Sequence, residues 1–305
     1  MQNKNRWLTS DAPCEPVSFL ARRALDSRLH TVLRLFPLVT AETAEQPKQI
    51  HQLRVATRRA VAALDLFEPL VGRRKHRNLR RKLRRVRKET GAAREIDVLT
   101  EHVQSSGALT DAERDAVGKS LTTFRQESRR SIAELSRRLP ERKLRRRIES
   151  VRQGVRWRGE GKEPAADEYS VLALTPLVEM FLSEVDHVSL SFQGLHRFRV
   201  QGKKLRYAIE LLAGEWPRKL RSHFYSRLEE LQNRLGDIND LASAETRCLT
   251  WATAFSSEAA AWEKLATWYR QAGQAALAEF AVWWSTERIA EFKNNWQLIQ
   301  QKQSG

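Results

Sequence analysis

Ile50-His51-Gln52-Leu53-Arg54-Val55-Ala56-Thr57-Arg58-Arg59 decides how the rest of the chain is read, because it returns as Leu195-His196-Arg197-Phe198-Arg199-Val200-Gln201-Gly202-Lys203-Lys204. The copies stand 145 residues apart, histidine to histidine, and in each a basic residue follows the histidine at i+3, i+7 and i+8. At about 100° per residue, positions i, i+3 and i+7 of a helix fall within roughly 60° of one another. His51, Arg54 and Arg58 therefore project as one row, and so do His196, Arg199 and Lys203, with Arg206 extending the second. Leu53, Ala56, Ala60, Leu64 and Phe67 lie opposite the first row; Phe198, Leu205, Ile209 and Leu212 lie opposite the second. Each stretch predicts a helix with a buried side and a cationic side headed by an imidazole.

The same offset relates other landmarks. Gly91 and Gly236 are 145 residues apart, as are Arg73-Arg74 and Arg218-Lys219. Several matches at one uninterrupted offset indicate an internal duplication, with two halves related by an approximate two-fold. Each glycine suits a left-handed residue just after a helix, with Asp237 capping the helix that follows.

The chain has 305 residues, 41% of them hydrophobic, enough for a substantial core. Lys and Arg number 54 against 37 acidic residues, a formal charge of +17. That excess points to a polyanionic partner: nucleic acid, an acidic membrane surface or a polyphosphate-type ligand. It is concentrated: from Arg73 to Lys88, eleven of sixteen residues are Lys or Arg. Leu79, Leu83 and Val86 leave that run a narrow apolar stripe, which argues for a docked helix rather than a solvated tail. Cys14 and Cys248 have no metal-ligand spacing and read as reduced thiols, as in a cytosolic protein. No apolar leader or membrane-spanning stretch is present, so a cytoplasmic location is expected and a membrane partner is not.

Proline and glycine positions divide an almost wholly helical pattern. Helices are expected over 17–37, 47–68, 72–89, 93–105, 110–138 and 141–157, then over 170–187, 192–213, 217–235, 238–254, 258–273 and 275–299. The expected organisation is a tail at 1–15, a first helical half at 16–157, a linker at 158–169 around Gly159, Gly161 and Pro164, and a second half at 170–300. Six of the nine tryptophans follow residue 250 and are expected in the core of the last helices. Adjacent Trp283 and Trp284 cannot both face one core, which suggests that one sits at an interface.

Four motifs, two per half and in order, resemble the CHAD domain, the conserved-histidine α-helical domain. They are His51-x-x-Arg54-Val55-x-x-Arg58-Arg59, Gly91-x-x-Arg94-Glu95-x-Asp97-Val98, His196-x-x-Arg199-x-x-x-Lys203-Lys204-Leu205-Arg206-Tyr207 and Leu228-x-x-Leu231-Gln232-x-x-Leu235-Gly236-x-x-Asn239-Asp240. The resemblance runs from about Pro16 to the last helices. It implies an all-α fold of two four-helix-like bundles in pseudo-two-fold symmetry around a basic central channel, and binding of inorganic polyphosphate, with an association with polyphosphate granules. Where the family usually has Arg-Asp after the first glycine, this chain has Arg94-Glu95.

The candidate polyphosphate-binding residues are His51, Arg54, Arg58, Arg59, Arg84, Arg87, Lys88, Arg94, His196, Arg199, Lys203, Lys204, Arg206 and Tyr207. Arg offers planar, forked contacts to phosphate oxygens and Lys a compact charge. The histidines donate from both ring nitrogens once protonated, a state that a nearby polyanion favours. Non-sequence-specific RNA binding is the alternative, weakened because aromatic platforms are sparse: Tyr207 alone lies near a cationic row. A phosphate-processing enzyme is a further alternative, with no Walker A loop, His-Glu-x-x-His or nucleophile elbow to carry it. No catalytic residue and no resident cofactor is expected. Asp97, Asp237 and Asp240 are read as helix caps, although a divalent cation can accompany the polyanion.

Overall fold

The computed structural model describes residues 7–8, 14–41, 47–105 and 107–303. Eleven helices account for most of these residues: α1 (Val17–Thr40), α2 (Pro47–Leu66), α3 (Arg73–Glu89), α4 (Gly91–Ser105), α5 (Asp111–Arg138), α6 (Glu141–Arg152), α7 (Ala166–Val185), α8 (Phe192–Leu212), α9 (Ser226–Ala254), α10 (Ala259–Trp283) and α11 (Thr286–Gln303). Among the described residues there is no strand, and one isolated bridge joins Pro16 to Ala165. The protein is all-α. Most of the expected tail falls outside the described residues, but Trp7 packs edge-on against Tyr225, ring centroids 4.7 Å apart.

Two hydrophobic clusters organise the helices. The larger is built on α1, whose Leu20, Ala24, Leu25, Leu29 and Val32 are fully buried. It gathers the apolar faces of α2, α3, α6, α7, α8 and α11 with the first turns of α9. The smaller joins α4 and the start of α5 to the far end of α9 and α10, around Trp262 and Tyr269. Each cluster takes helices from both sides of residues 158–169, so the cores do not divide where the chain was expected to divide. That stretch is held in place: the Val17 amide donates to the Pro164 carbonyl and the Ala166 amide to that of Glu15.

Three local expectations are corrected. Gly236 lies inside α9, which runs unbroken for 29 residues, and Gly91 opens α4; among the described residues the positive φ angles belong to Cys14 and Gly161. Neither glycine is a left-handed cap, and Asp237, in mid-helix, caps nothing. The bend between α3 and α4 falls at Thr90, whose hydroxyl donates back to the Val86 carbonyl at 2.9 Å. The break expected near residue 274 is also absent, since α10 continues to Trp283.

Neighbouring Trp283 and Trp284 are both half-buried and both pack against the larger cluster. Trp284 packs on Phe198, Phe280 and Phe292. Trp283 lies between the guanidinium groups of Arg234 and Arg288, at 4.7 and 4.6 Å, and donates its indole N–H to Glu230 at 3.0 Å.

Candidate polyanion-binding cleft

The cationic faces of α2 and α8 meet in one cleft of about 950 Å³, walled by α4 and α9. The pattern that built the two helices also explains this placement. Their apolar faces seal the larger core, which leaves the basic rows pointing into the gap between the two clusters. Arg54, Arg58, Arg94, Arg199, Lys203, Arg206 and Arg247 line the cleft with His51, against three carboxylates: Glu95, Asp237 and Asp240.

Pairs of contacts repeat at the 145-residue offset. Nη1 of Arg54 lies where a Cβ on Gly91 would stand 3.4 Å away, and Nη2 of Arg199 lies 3.9 Å from the same point on Gly236. An arginine thus lies beside the helix backbone of each wall at a glycine. Arg80 donates to Asp65 at 2.6 Å, and at the corresponding positions Tyr225 donates to Glu210 at 2.8 Å. His51 stands near Arg94, and His196 Nδ1 lies 3.0 Å from Oδ1 of Asn239, again the corresponding partner.

Electrostatically the cleft is crowded with like charge. Burial first, and then Arg94, Arg58 and Arg54, hold His51 below the ordinary imidazole value. Arg54 and Arg199 are lowered chiefly by burial, with Arg58 adding repulsion in both cases. Lys203 is pushed down to about 7, by burial and then by Arg199 and Arg58. The Nε atoms of Arg58, Arg199 and Arg206 and both amide atoms of Gln232 are buried with no hydrogen-bond partner among the described residues. Such groups lower their energy by meeting an anion that brings acceptor oxygens.

The cleft brings together eight of the expected residues: His51, Arg54, Arg58, Arg94, Arg199, Lys203, Arg206 and Tyr207. Arg87 adjoins it, close enough to Arg58 and Arg84 for each to lower its proton affinity, and its carbonyl accepts from Arg54 at 2.5 Å. Arg84 lies in a neighbouring groove with Arg80 and Asp65, and His196 is at the rim on Asn239. Lys88 and Lys204 are exposed and outside the lining.

Arg59 is a correction. Its Nε and Nη2 donate to the carboxylate of Glu210 at 2.8 and 3.0 Å, so the guanidinium ties α2 to α8 and is not offered to a ligand. Glu210 is 1% exposed and also accepts from Tyr225. No local pattern could expose this pairing, because its partners lie 151 residues apart. Gln232, Asn239, Asp240 and Arg247 line the cleft without having been chosen. The first three stand inside the fourth motif, which was the available signal; Arg247 has none. Asp97 is no helix cap either: it is buried in α4, where Arg125 donates to it at 3.1 Å. Glu95 pairs across the cleft with Arg247, so the longer carboxylate joins α4 to α9. Among the described residues no group of three or more His, Cys, Asp or Glu side chains is arranged to hold a metal ion.

Comparison with solved structures gives the same architecture. The crystal structure of the CHAD domain from the plant Ricinus communis aligns with a TM-score of 0.73 at 22% identity, covering 91% of this chain and 96% of that one. PptA from Streptomyces chartreusis aligns with a TM-score of 0.63 at 17% identity, covering 93% of this chain and all of the other (100%). Comparison with curated protein sequences gave no match. The family model described as the CHAD domain matches residues 23–249, and with three quarters of its length inside that match the chain belongs to the CHAD domain family.

Proposed function

We propose that the protein binds inorganic polyphosphate in the cleft between α2, α8, α4 and α9 and leaves the chain uncut. The observation that carries this reading is the convergence of seven Lys and Arg side chains and His51 on one cleft with three carboxylates. Cations held that close repel one another, and burial removes the water that would screen them. A polyanion relieves both costs at once. Polyphosphate binding is also what the family resemblance implies.

The cleft favours a polyanion without bases. Tyr207 is only 7% exposed, so its ring is not a stacking platform, and Phe192 at the mouth is the other aromatic side chain in the lining. Single-strand binders usually place several stacking rings along the backbone path. A catalytic role would need an activated group, and His51 faces arginines instead of a carboxylate that would orient it as a base. The two halves read as a duplication, supported by the three contact pairs repeated at one offset. A cytoplasmic site of action, with polyphosphate granules as a place of association, follows from this ligand. A divalent cation would arrive with the polyanion, without a dedicated protein site.

The test is retention of long-chain polyphosphate against single-stranded RNA at matched phosphate count and one fixed salt concentration. Tighter binding of polyphosphate, weakening steeply with salt, is expected; equal or tighter RNA binding overturns the preference. Incubation with Mg²⁺ followed by a sizing gel should show no chain shortening.

A further inference from the structure

We propose that α3 and α6 form a second polyanion tract on the outer face, which takes the length of polyphosphate that the cleft cannot hold. This rests on the reading of the cleft given above. α3 is buried along a single stripe, His76, Leu79, Leu83 and Val86. Around the rest of its circumference it is almost entirely cationic. Arg80, Arg84 and Arg87 face the cleft side, Arg77, Arg81 and Lys88 form the crest, and Lys75, Lys82 and Arg85 lie on the far flank.

α6 packs on that far flank, where Lys75 donates to the Ser150 carbonyl at 2.8 Å. A groove of about 230 Å³ opens there, with Arg74, Lys75 and Arg147 on its walls. Lys82, half-buried on α3, is crowded by cations: burial depresses its ammonium group first, and Lys143, Arg81, Arg85 and Arg147 follow. The nearby carboxylates are already engaged. Glu141 accepts from Arg145 at 2.6 Å and Glu149 from Arg152 at 2.8 Å, while Glu89 stands 3.9 Å from Arg85. Among the described residues no ion pair is formed by Arg74, Arg81, Lys82, Lys143 or Arg147.

The two sites are joined. Arg58 in the cleft and Arg84 both act on Arg87, Arg84 shares a groove with Arg81, and Arg81 acts on Lys82. The cationic path therefore leaves the cleft, crosses the α3 crest and enters the outer groove. Neither α3 nor α6 has a Phe, Tyr or Trp, so the path offers no base platform and suits a bare phosphate chain. The crowding is not imposed by the repeated architecture. In the corresponding segment, 218–234, Glu229 and Glu230 stand where Arg84 and Arg85 stand here, and Glu230 lies 3.7 Å from both Arg227 and Arg234. The second half pairs Arg227 and Arg234 with Glu230; in the first half Arg74, Arg81 and Lys82 form no ion pair among the described residues, at a cost in self-repulsion.

The test uses the full chain carrying Lys82→Ser, Lys143→Ser and Arg147→Ser, none of which lines the cleft. Binding is measured for a short oligophosphate that the cleft alone can hold and for long-chain polyphosphate, across a salt series. Long-chain affinity should fall about tenfold or more, with the log–log salt slope reduced by roughly two, while short-chain affinity holds. Removing unpaired cations should leave the melting temperature unchanged or higher, which separates this result from misfolding. Unchanged long-chain binding, or equal losses for short and long chains, overturns the proposal. So does duplex or single-stranded nucleic acid that depends on these three residues and binds more tightly than polyphosphate at matched phosphate count. The cleft is judged separately by Arg54→Glu with Arg199→Glu: if short chains still bind that variant, the cleft reading fails whatever the outer face does.

Discussion

Positions 145 residues apart in this molecule make comparable contacts and differ in how much charge surrounds them. Arg54 lies over Gly91 with Arg58, Glu95, Arg87 and Arg94 acting on it; Arg199 lies over Gly236 with the corresponding carboxylate, Asp240, at 3.6 Å, and Glu229 approaches Arg206 at 4.0 Å. At positions corresponding to Arg84, Arg85 and Ala92, the second half has Glu229, Glu230 and Asp237. Corresponding positions therefore give one side with surplus cations and one side that is more fully neutralised. A polyanion gains more from the first side, because there it replaces more repulsion and competes with fewer carboxylates.

The largest effect expected of this comparison is on binding. Arg54→Glu with Arg199→Glu should weaken polyphosphate affinity at least about a hundredfold, since each charged hydrogen bond is worth about 1.5–3 kcal/mol, with helicity by circular dichroism retained. Taken singly, Arg54→Ala should cost more than Arg199→Ala; equal losses would break the asymmetry.

The second effect is on stability, and it sets two corresponding carboxylates against each other. Glu210→Ala leaves Arg59 and Arg28 buried beside an empty position and should cost about 3–5 kcal/mol by chemical denaturation. Asp65 makes the corresponding contact at 38% side-chain exposure, so Asp65→Ala should cost about 1 kcal/mol or less.

The third is a pH dependence from Lys203, whose proton affinity the fold depresses to about 7. Above that pH the free cleft loses this charge, and polyphosphate draws the proton back. Affinity should therefore fall as pH rises from 6 to 9, by at most about tenfold per unit, with proton uptake on binding measurable by calorimetry in buffers of different ionisation enthalpy. Lys203→Arg should flatten the profile, since arginine stays charged. The smallest effect concerns Gly236→Ala: the site is helical with no positive φ, and the new methyl would meet Arg199 at 3.9 Å, so a gain of up to about 1 kcal/mol in stability is expected.

Most helices were legible because their apolar spacing is strong and local. The 145-residue offset selected both motif helices, and together with the CHAD resemblance it named eight residues that the cleft brings together. What misled was equally physical. Gly236 and Asp237 look like a helix end, yet packing of α9 on α8 and α10 carries the helix through them. Arg59 is indistinguishable from Arg58 by composition, but the helix turns it about 100° away, toward α8 and Glu210. Arg247 and Glu95 became partners through the packing of α4 near α9, which no spacing records.

By itself the sequence determined that this chain is helical, that two basic stretches recur at one offset, and that its surplus of positive charge is concentrated on particular helices. These properties are written in local periodicity and composition. Only the tertiary structure decided that arginines of both rows line one cleft, that Arg59 is bound to Glu210, and that Arg74, Arg81, Lys82, Lys143 and Arg147 on the α3–α6 face form no ion pair among the described residues. Each of those depends on which side chains meet across long separations, and Coulomb interactions and desolvation act through distance in space, not along the chain.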